Sequence, residues 1–389
     1  MTGSRVSDAV GPDRPLSEAV AAVTLGIVSL LLAGVLPALL GALADEHRLS
    51  ASGIGLTATF EGLTMGLATA AAGIALKPHH LRWLGAGAAL ILAGCDFATL
   101  QATGTGIMVL RGLAGLPEGI LLWITVGMIA RTATPERWAG IFFMALTAAQ
   151  MALSVLYEHW VLPSYGANGG FLGLALAGLA GVGVVFFLPD RFAPLQDSES
   201  ASGSPPPRGW FALFATLIYI GASSTVGVYI EPLAHEAGLG ADVARAAISV
   251  SLAAQIAGGG AATLLAGRIR YFTVFTVSAI VTVAAWAIFL LHPAAWAFIA
   301  ANAAAGFVSI LIAAFLVPMT IEADPSRRAA VLSGSAQVLA GALGPFAASF
   351  VVADDDVRGS VFIGSASLFA GLALIAMLHF TSTRNNHTV

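Results

Sequence analysis

Three carboxylic acids and one arginine stand inside otherwise apolar stretches of the chain: Glu61, Asp96, Arg111 and Glu118. A charged side chain at the centre of a bilayer costs about 2.5–3.5 kcal/mol on insertion scales, so such residues carry a functional hypothesis from the start. Arg111 and Glu118 are seven residues apart, which at helical pitch places them about 20° apart on one face and roughly 10 Å apart along it. That spacing predicts a shared surface without direct pairing. A carboxyl group in such a place can exchange a proton as its wetness and its distance from Arg111 change, and a bound solute can compete for the same arginine. The plainer reading is that Arg111 neutralises one acid and ties neighbouring helices together, with Asp96 bonding a neighbouring helix.

The elements that must hold these groups are long and apolar. Twelve such stretches run at 18–45, 51–76, 82–103, 105–131, 136–161, 168–188, 209–236, 242–266, 270–291, 293–322, 326–352 and 357–381. A hydrocarbon core of about 30 Å needs about 20 apolar residues per helix, so the pattern predicts an all-α polytopic membrane protein. Composition agrees, with 58% hydrophobic and 10% charged residues and a mean hydropathy of +0.88. An average soluble domain carries about 25% charged residues. The net charge of −4 comes without a basic stripe, which argues against a nucleic-acid partner. The single cysteine, Cys95, excludes an intrachain disulfide framework and reads as a small packing residue. No motif for a metal or another cofactor is present. The run after the polar first seventeen residues is longer than the core of a cleaved secretory signal, so the first helix is expected to remain in the mature chain.

Basic residues set the expected orientation. Arg5, Arg14, Lys77, Arg82, Arg131, Arg137, Arg191, Arg208, Arg268, Arg270, Arg327, Arg328 and Arg384 fall on one side, against Arg48, Arg245 and Arg358 on the other. This predicts cytoplasmic amino and carboxyl termini. Trp83, Trp138, Trp160, Trp210 and Trp296 fall at stretch ends, where an amphipathic indole prefers to sit. The preponderance of arginine over lysine, with abundant Ala and Gly, points to a bacterial inner membrane.

Residues 190–208, with a Pro205-Pro206-Pro207 run, divide the chain into 1–17 (cytoplasmic tail), 18–189 (six-helix bundle), 190–208 (cytoplasmic linker), 209–381 (six-helix bundle) and 382–389 (cytoplasmic tail). At an offset of 190 residues, Thr134-Pro135-Glu136-Arg137 corresponds to Asp324-Pro325-Ser326-Arg327. Both read as an N-cap residue followed by proline at the first helical position. The basic turns at Lys77–Arg82 and Arg268–Arg270 also correspond. These matches indicate an internal duplication.

With two sets of six stretches and the fourth one carrying Arg111-Gly-Leu-Ala-Gly115-Leu-Pro-Glu118-Gly119, the whole chain resembles the major facilitator superfamily. The loop Gly73-Ile-Ala-Leu-Lys77-Pro-His-His-Leu-Arg82 keeps that superfamily's glycine and basic charge but lacks its aspartate. The resemblance implies two pseudosymmetric six-helix bundles, with the first, fourth, seventh and tenth helices lining a central cavity. The Arg111–Glu118 face is then expected to meet the substrate path.

Other polar residues are fewer. Glu231-Pro232, followed by His235, ends the seventh stretch as a charged rim or a gate. Tyr219 and Asn302 are candidate contacts to a solute in the cavity. Gln150, Gln255 and Gln337 are mid-span amides that interhelical hydrogen bonds explain. Trp123 falls about 140° off the Glu118 face and is expected to face lipid or the interface. Gly115 and Gly119 have the spacing of close helix packing, and Gly344-Pro345 predicts a bend in the eleventh helix.

Together these readings predict a monomeric secondary active transporter, driven by a proton gradient and moving a small organic solute by alternating access. Three buried acids against one arginine favour a neutral, amphipathic or cationic compound, with efflux preferred over uptake of a small organic acid or nutrient. A membrane enzyme is disfavoured, because no nucleophile, base or metal-ligand constellation lies within a stretch. A non-transporting receptor or assembly factor is the alternative of another class.

Overall fold

The computed structural model describes residues 16–193, 195, 203–352 and 356–386. The 1–17 tail up to residue 15, most of the linker's middle and the end of the 382–389 tail lie outside them. Among the described residues there are twelve long helices: α1 (Leu16–Asp45), α2 (Ala51–Ala75), α3 (Leu81–Thr99), α4 (Thr105–Ile129), α5 (Pro135–Leu156), α6 (Leu162–Val185), α7 (Pro207–Gly227), α8 (Ala241–Leu265), α9 (Tyr271–Phe289), α10 (Ala295–Ala323), α11 (Arg328–Ala348) and α12 (Arg358–Asn386). Ten segments of the described residues are long and apolar enough to cross a bilayer, with the run Pro135–Val185 counting as one. The helix α2 is not among them because Glu61 and four threonines dilute its apolar character. Large apolar side chains cover the outside of the helices, including Leu291 at 73% and Phe186 at 74% exposure. Lipid is the solvent that such a surface requires, and this is a polytopic membrane protein.

The starts follow local chemistry. Ser50 caps α2 by accepting from the Gly53 amide at 3.2 Å. Proline opens α5 and α7 at the position where its missing N–H costs nothing. The Asp324-Pro325 pair behaves differently from the sequence expectation. Asp324 ends α10, and its carboxylate accepts from the Ser326 amide at 3.1 Å and the Ala329 amide at 2.8 Å. The helix α11 then begins three residues after Pro325, behind a left-handed Arg327 with φ of 60°. A short reversal thus moves the helix start past Pro325, while the Asp324 carboxylate still satisfies an amide of the first turn.

Two other boundaries moved. The seventh stretch breaks at Val228, and a short helix, Ile230–Glu236, follows. Pro232 explains this, because its ring collides with the carbonyl four residues back, at Val228. Between α5 and α6 no long loop intervenes. A π-helical turn at Tyr157–Val161 joins them, and the helical geometry fails only at Gly166, whose φ of 60° suits a residue without Cβ.

The chain forms two compact units, Met1–Ala133 with Ala145–Ser204, and Thr134–Met144 with Pro205–Val389. In the first, the packed pairs include α1·α4, α1·α6, α2·α4, α3·α4 and α3·α6. The second repeats these five as α7·α10, α7·α12, α8·α10, α9·α10 and α9·α12, and also packs α11 closely on α7. Glycine makes the closest crossings. A Cβ on Gly115 would collide with Thr64 Oγ1 and lie 2.6 Å from the Glu61 carbonyl oxygen, and one on Gly119 would lie 2.5 Å from the Met65 carbonyl oxygen. On α11, a Cβ at Gly344 would lie 2.5 Å from the Gly221 carbonyl oxygen, and Thr225 Oγ1 donates to the Gly344 carbonyl at 3.1 Å. The helix continues through Pro345, so Gly344 serves approach to α7.

Tryptophan positions sort by surroundings. Trp83, Trp160, Trp210 and Trp296 are exposed near helix ends, whereas Trp138 is 2% exposed. Its neighbours are protein, contrary to the interfacial expectation.

Gly119→Val is expected to destabilise the protein by about 1–3 kcal/mol through overpacking against α2. Gly87→Ala, whose new methyl meets nothing within 4 Å, is expected to stabilise it by about 0.5–1 kcal/mol. Unfolding of the purified protein in detergent measures both.

Candidate functional site

In the amino-terminal unit, α2, α3 and α4 bring the four predicted charges together. Arg111 on α4 donates to Glu61 Oε1 on α2 through Nε at 3.2 Å and Nη2 at 2.7 Å. Its Nη1 donates to Asp96 Oδ1 on α3 at 2.5 Å. Glu118 Oε1 lies 3.6 Å from Nη2. The Phe171 ring on α6 closes the remaining side, 5.7 Å from the guanidinium carbon. Arg111 is wholly buried, and each of the three acids is less than a tenth exposed. Glu61 Oε2 has no hydrogen-bond partner.

Two sequence expectations change here. Arg111 and Glu118 do pair, with Nη2 and Oε1 3.6 Å apart, because the reach of two long side chains spans a rise that the backbone spacing alone would leave open. Asp96 bonds a neighbouring helix as expected, and its partner there is Arg111, at the shortest distance in the cluster. The glycine pattern takes part as well, since the bare Cα of Gly115 lets the α2 backbone come in at Glu61. Trp123 is 4% exposed and not lipid-facing, because α4 is buried on all sides from Leu121 to Ala130. In this conformation the four charged groups line neither of the two cavities described below.

A second arginine network was missed by sequence reasoning. Arg48 donates to the carbonyls of Thr99 at 2.6 Å, Leu100 at 3.1 Å and Ala102 at 3.0 Å, and to Asn168 Oδ1 at 2.7 Å. It satisfies the carbonyl end of α3. Glu46, its ion-pair partner at 3.3 Å, accepts from the Ala167 amide beside the Gly166 kink. The only sequence signal was that Arg48 is one of few basic residues on its side.

The carboxy-terminal unit holds a cavity of about 360 Å³. Asn302, Gln255 and Gln337 line it, together with Ser251, Thr282 and Trp286. Asn302 also donates to the Ala247 carbonyl at 3.0 Å. Gln150, in the other unit, makes the expected interhelical bond, donating to the Leu30 carbonyl at 2.7 Å. Gln255 and Gln337 do not, and neither amide bonds another described residue. Tyr219 is absent from the lining. It is wholly buried, donates to the Phe275 carbonyl at 2.7 Å and packs edge-on against that ring. Glu231 stands exposed in the first turn of the short helix, away from both the cluster and the cavity lining apart from Ile230 beside it.

A further cavity, of about 620 Å³, includes Arg268, Arg270, Tyr271, Glu322 and His379. There Tyr271 donates to Glu322 Oε1 at 3.1 Å, and His379 stacks on Phe272 with ring centroids 4.7 Å apart. Among the described residues no group of three or more His, Cys, Asp or Glu side chains is placed to hold a metal ion.

The helix set, its internal repeat and a charge cluster inside one half together define the major facilitator superfamily fold. Among solved structures, the human organic anion transporter MFSD10 (TETRAN) matches with a TM-score of 0.71 over 93% of this chain and 100% of that one, at 14% identity. A variant of the E. coli fucose:proton symporter FucP matches with a TM-score of 0.69 over 92% and 98%, at 13% identity. The proton:xylose symporter XylE, bound to 6-bromo-6-deoxy-D-glucose, matches at 0.65 over 92% and 93%, at 11% identity. No protein-family model and no curated protein sequence matches the chain.

Removing one partner from a buried ion group strands the others, at a cost of about 3–5 kcal/mol. Arg111→Met is expected to lower stability by that amount in detergent unfolding. Adding Glu61→Gln and Asp96→Asn to it should recover part of the loss, because the stranded negative charges go.

Proposed function

We propose that this protein is a secondary active transporter that moves a small organic solute through the membrane by alternating access, coupled to protons at the Glu61–Asp96–Arg111–Glu118 cluster. The observation that carries this reading is the charge imbalance: three acids surround one guanidinium, and all four groups are buried. Fully ionised, the cluster holds two negative charges in excess at bilayer depth, and each proton taken up cancels one. Glu118 is the proton carrier. Glu61 and Asp96 each hold the guanidinium through hydrogen bonds, whereas Glu118 stands 3.6 Å from it in an ion pair and shares its hydrogen bond with the Glu61 carboxyl instead.

Proton exchange needs a path to water, and Glu118 is 3% exposed here. A carrier that alternates between open states supplies that path in another conformation. The energy source is the proton gradient, and the chain's own carboxylates carry the coupling without a cofactor. The protein acts as a monomer in a bacterial inner membrane with both termini cytoplasmic, as the arginine distribution supports.

Export is the primary direction. The carboxy-terminal cavity mixes apolar with neutral polar groups, which suits amphipathic compounds that enter a cell by partitioning into its membrane. Uptake is the second reading, supported by the likeness to two proteins described as proton symporters.

Glu118→Gln keeps the shape of the side chain and removes its proton. In proteoliposomes this variant is expected to retain solute exchange down a concentration gradient and to lose accumulation driven by a pH gradient. Undiminished uphill transport would falsify the assignment of Glu118. The sign of the pH gradient that drives accumulation separates export from uptake.

A further inference from the structure

The internal repeat allows the two halves to be compared position by position. The 190-residue offset carries Glu61 to Ser251 and Asp96 to Trp286, and one residue further, at 191, Arg111 falls on Asn302 and Glu118 on Ser309. Packing supports this register to within one residue. Gly115 on α4 lies against Glu61 of α2, and Gly306 on α10 lies against Ser251 of α8, where an added Cβ would be 2.9 Å from the Ser251 carbonyl oxygen. The 190-residue offset also takes Leu92 to Thr282 and Met65 to Gln255. Ser251, Gln255, Thr282, Trp286 and Ser309 all line the 360 Å³ cavity. Where the amino-terminal unit is filled by charge, the carboxy-terminal unit therefore has a hollow.

Among the described residues, no ionisable side chain lines that hollow. Its polar groups are amides and hydroxyls, each able to donate and accept. Gln255 and Gln337 bond nothing else among the described residues, so their hydrogen-bonding capacity is unspent. Both amides are part-buried, so water takes that capacity in an empty cavity and a solute that displaces it can use the same donors and acceptors. Trp286, Ile220 and Ile310 supply apolar surface beside them. The volume falls within the range of about 300–1,000 Å³ common for small-ligand pockets.

We propose that this cavity binds an uncharged solute with an apolar face and a hydrogen-bonding edge, held at that edge by the Gln255 and Gln337 amides. An anion would meet no cation there. A cation would meet no carboxylate, and either ion would lose hydration that the lining cannot replace by charge. The proposal rests on the carrier reading and narrows its solute to the neutral class.

Full-length protein in detergent, with no gradient, is the material for the test. Three matched series serve as probes: benzamide, benzoate and benzylamine; cyclohexanecarboxamide with its carboxylate and its aminomethyl analogue; phenyl glucoside, phenyl glucuronide and the 6-amino glucoside. Ligand-induced thermal stabilisation is the readout. At least one neutral member is expected to stabilise the protein while its matched ions do not. Gln255→Met and Gln337→Met should each weaken that binding about five- to tenfold, the value of one hydrogen bond. Their ligand-free melting temperatures should stay unchanged, since neither amide supports the fold. Ions that bind as well as their neutral partners overturn the proposal. So does neutral binding indifferent to both substitutions, or no neutral member that binds more tightly than about 1 mM, near −4 kcal/mol. Because the assay involves no proton gradient, failure here leaves the Glu118 coupling result standing, and failure of coupling leaves this result readable.

Discussion

A fully buried arginine has to be answered from several directions at once, and the amino-terminal unit is arranged around that demand. The guanidinium of Arg111 presents five donors in a rigid plane and cannot lose its charge. Glu61 answers from α2 and Asp96 from α3, so three helices converge on one group. The convergence depends on backbones coming close, and Gly115 and Gly119 permit it where any side chain would hold α2 away. Small residues and charges are thus two parts of one device. Van der Waals contact between bare backbones sets the helix separation, and the ion cluster fixes the register along it.

The repeat puts the same helix pairing to a different use in the carboxy-terminal unit. The α8·α10 crossing again runs over a glycine, Gly306 against Ser251. No charge answers across it. Hydroxyls, amides and an indole stand at the repeat-related positions, and space remains between them. Duplication preserves the helix framework because that framework depends on small residues and helix length. What fills the interior is free to differ, because the bilayer supplies no hydrophobic drive that would close an unfilled place between helices.

How much of this the sequence could disclose depends on the range of each interaction. Helix number and the buried charges were visible, because both follow from the cost of polar groups in hydrocarbon, residue by residue. Break points depended on proline and glycine chemistry acting with neighbours: Pro232 was visible, yet its effect at Val228 was not drawn, and Asp324 serves the first turn of α11 from across a reversal rather than from the residue directly before it. Helical-wheel reasoning misplaced Trp123, because it assumes a helix with one outer face, whereas α4 is enclosed along its last turns. Gln255 and Gln337 were hardest of all. An amide in a membrane helix looks the same in sequence whether a neighbouring carbonyl satisfies it, as with Gln150, or nothing does.

The ratio of three acids to one arginine has a consequence for control. In a closed pair, one acid and one base cancel, and the local field is fixed by the residues alone. Here no combination of the side chains at full ionisation cancels, so the net charge of the cluster is set by how many protons occupy it. In the carrier proposed above, the pull of Glu118 on the guanidinium depends on that occupancy, since a neutral Glu118 attracts it less. Glu61, Asp96 and Arg111 sit on three different helices, so under that proposal a change in how tightly they are drawn together is a change in helix packing. Proton number and helix arrangement would then be two readings of one electrostatic balance, which is what the proposed coupling requires.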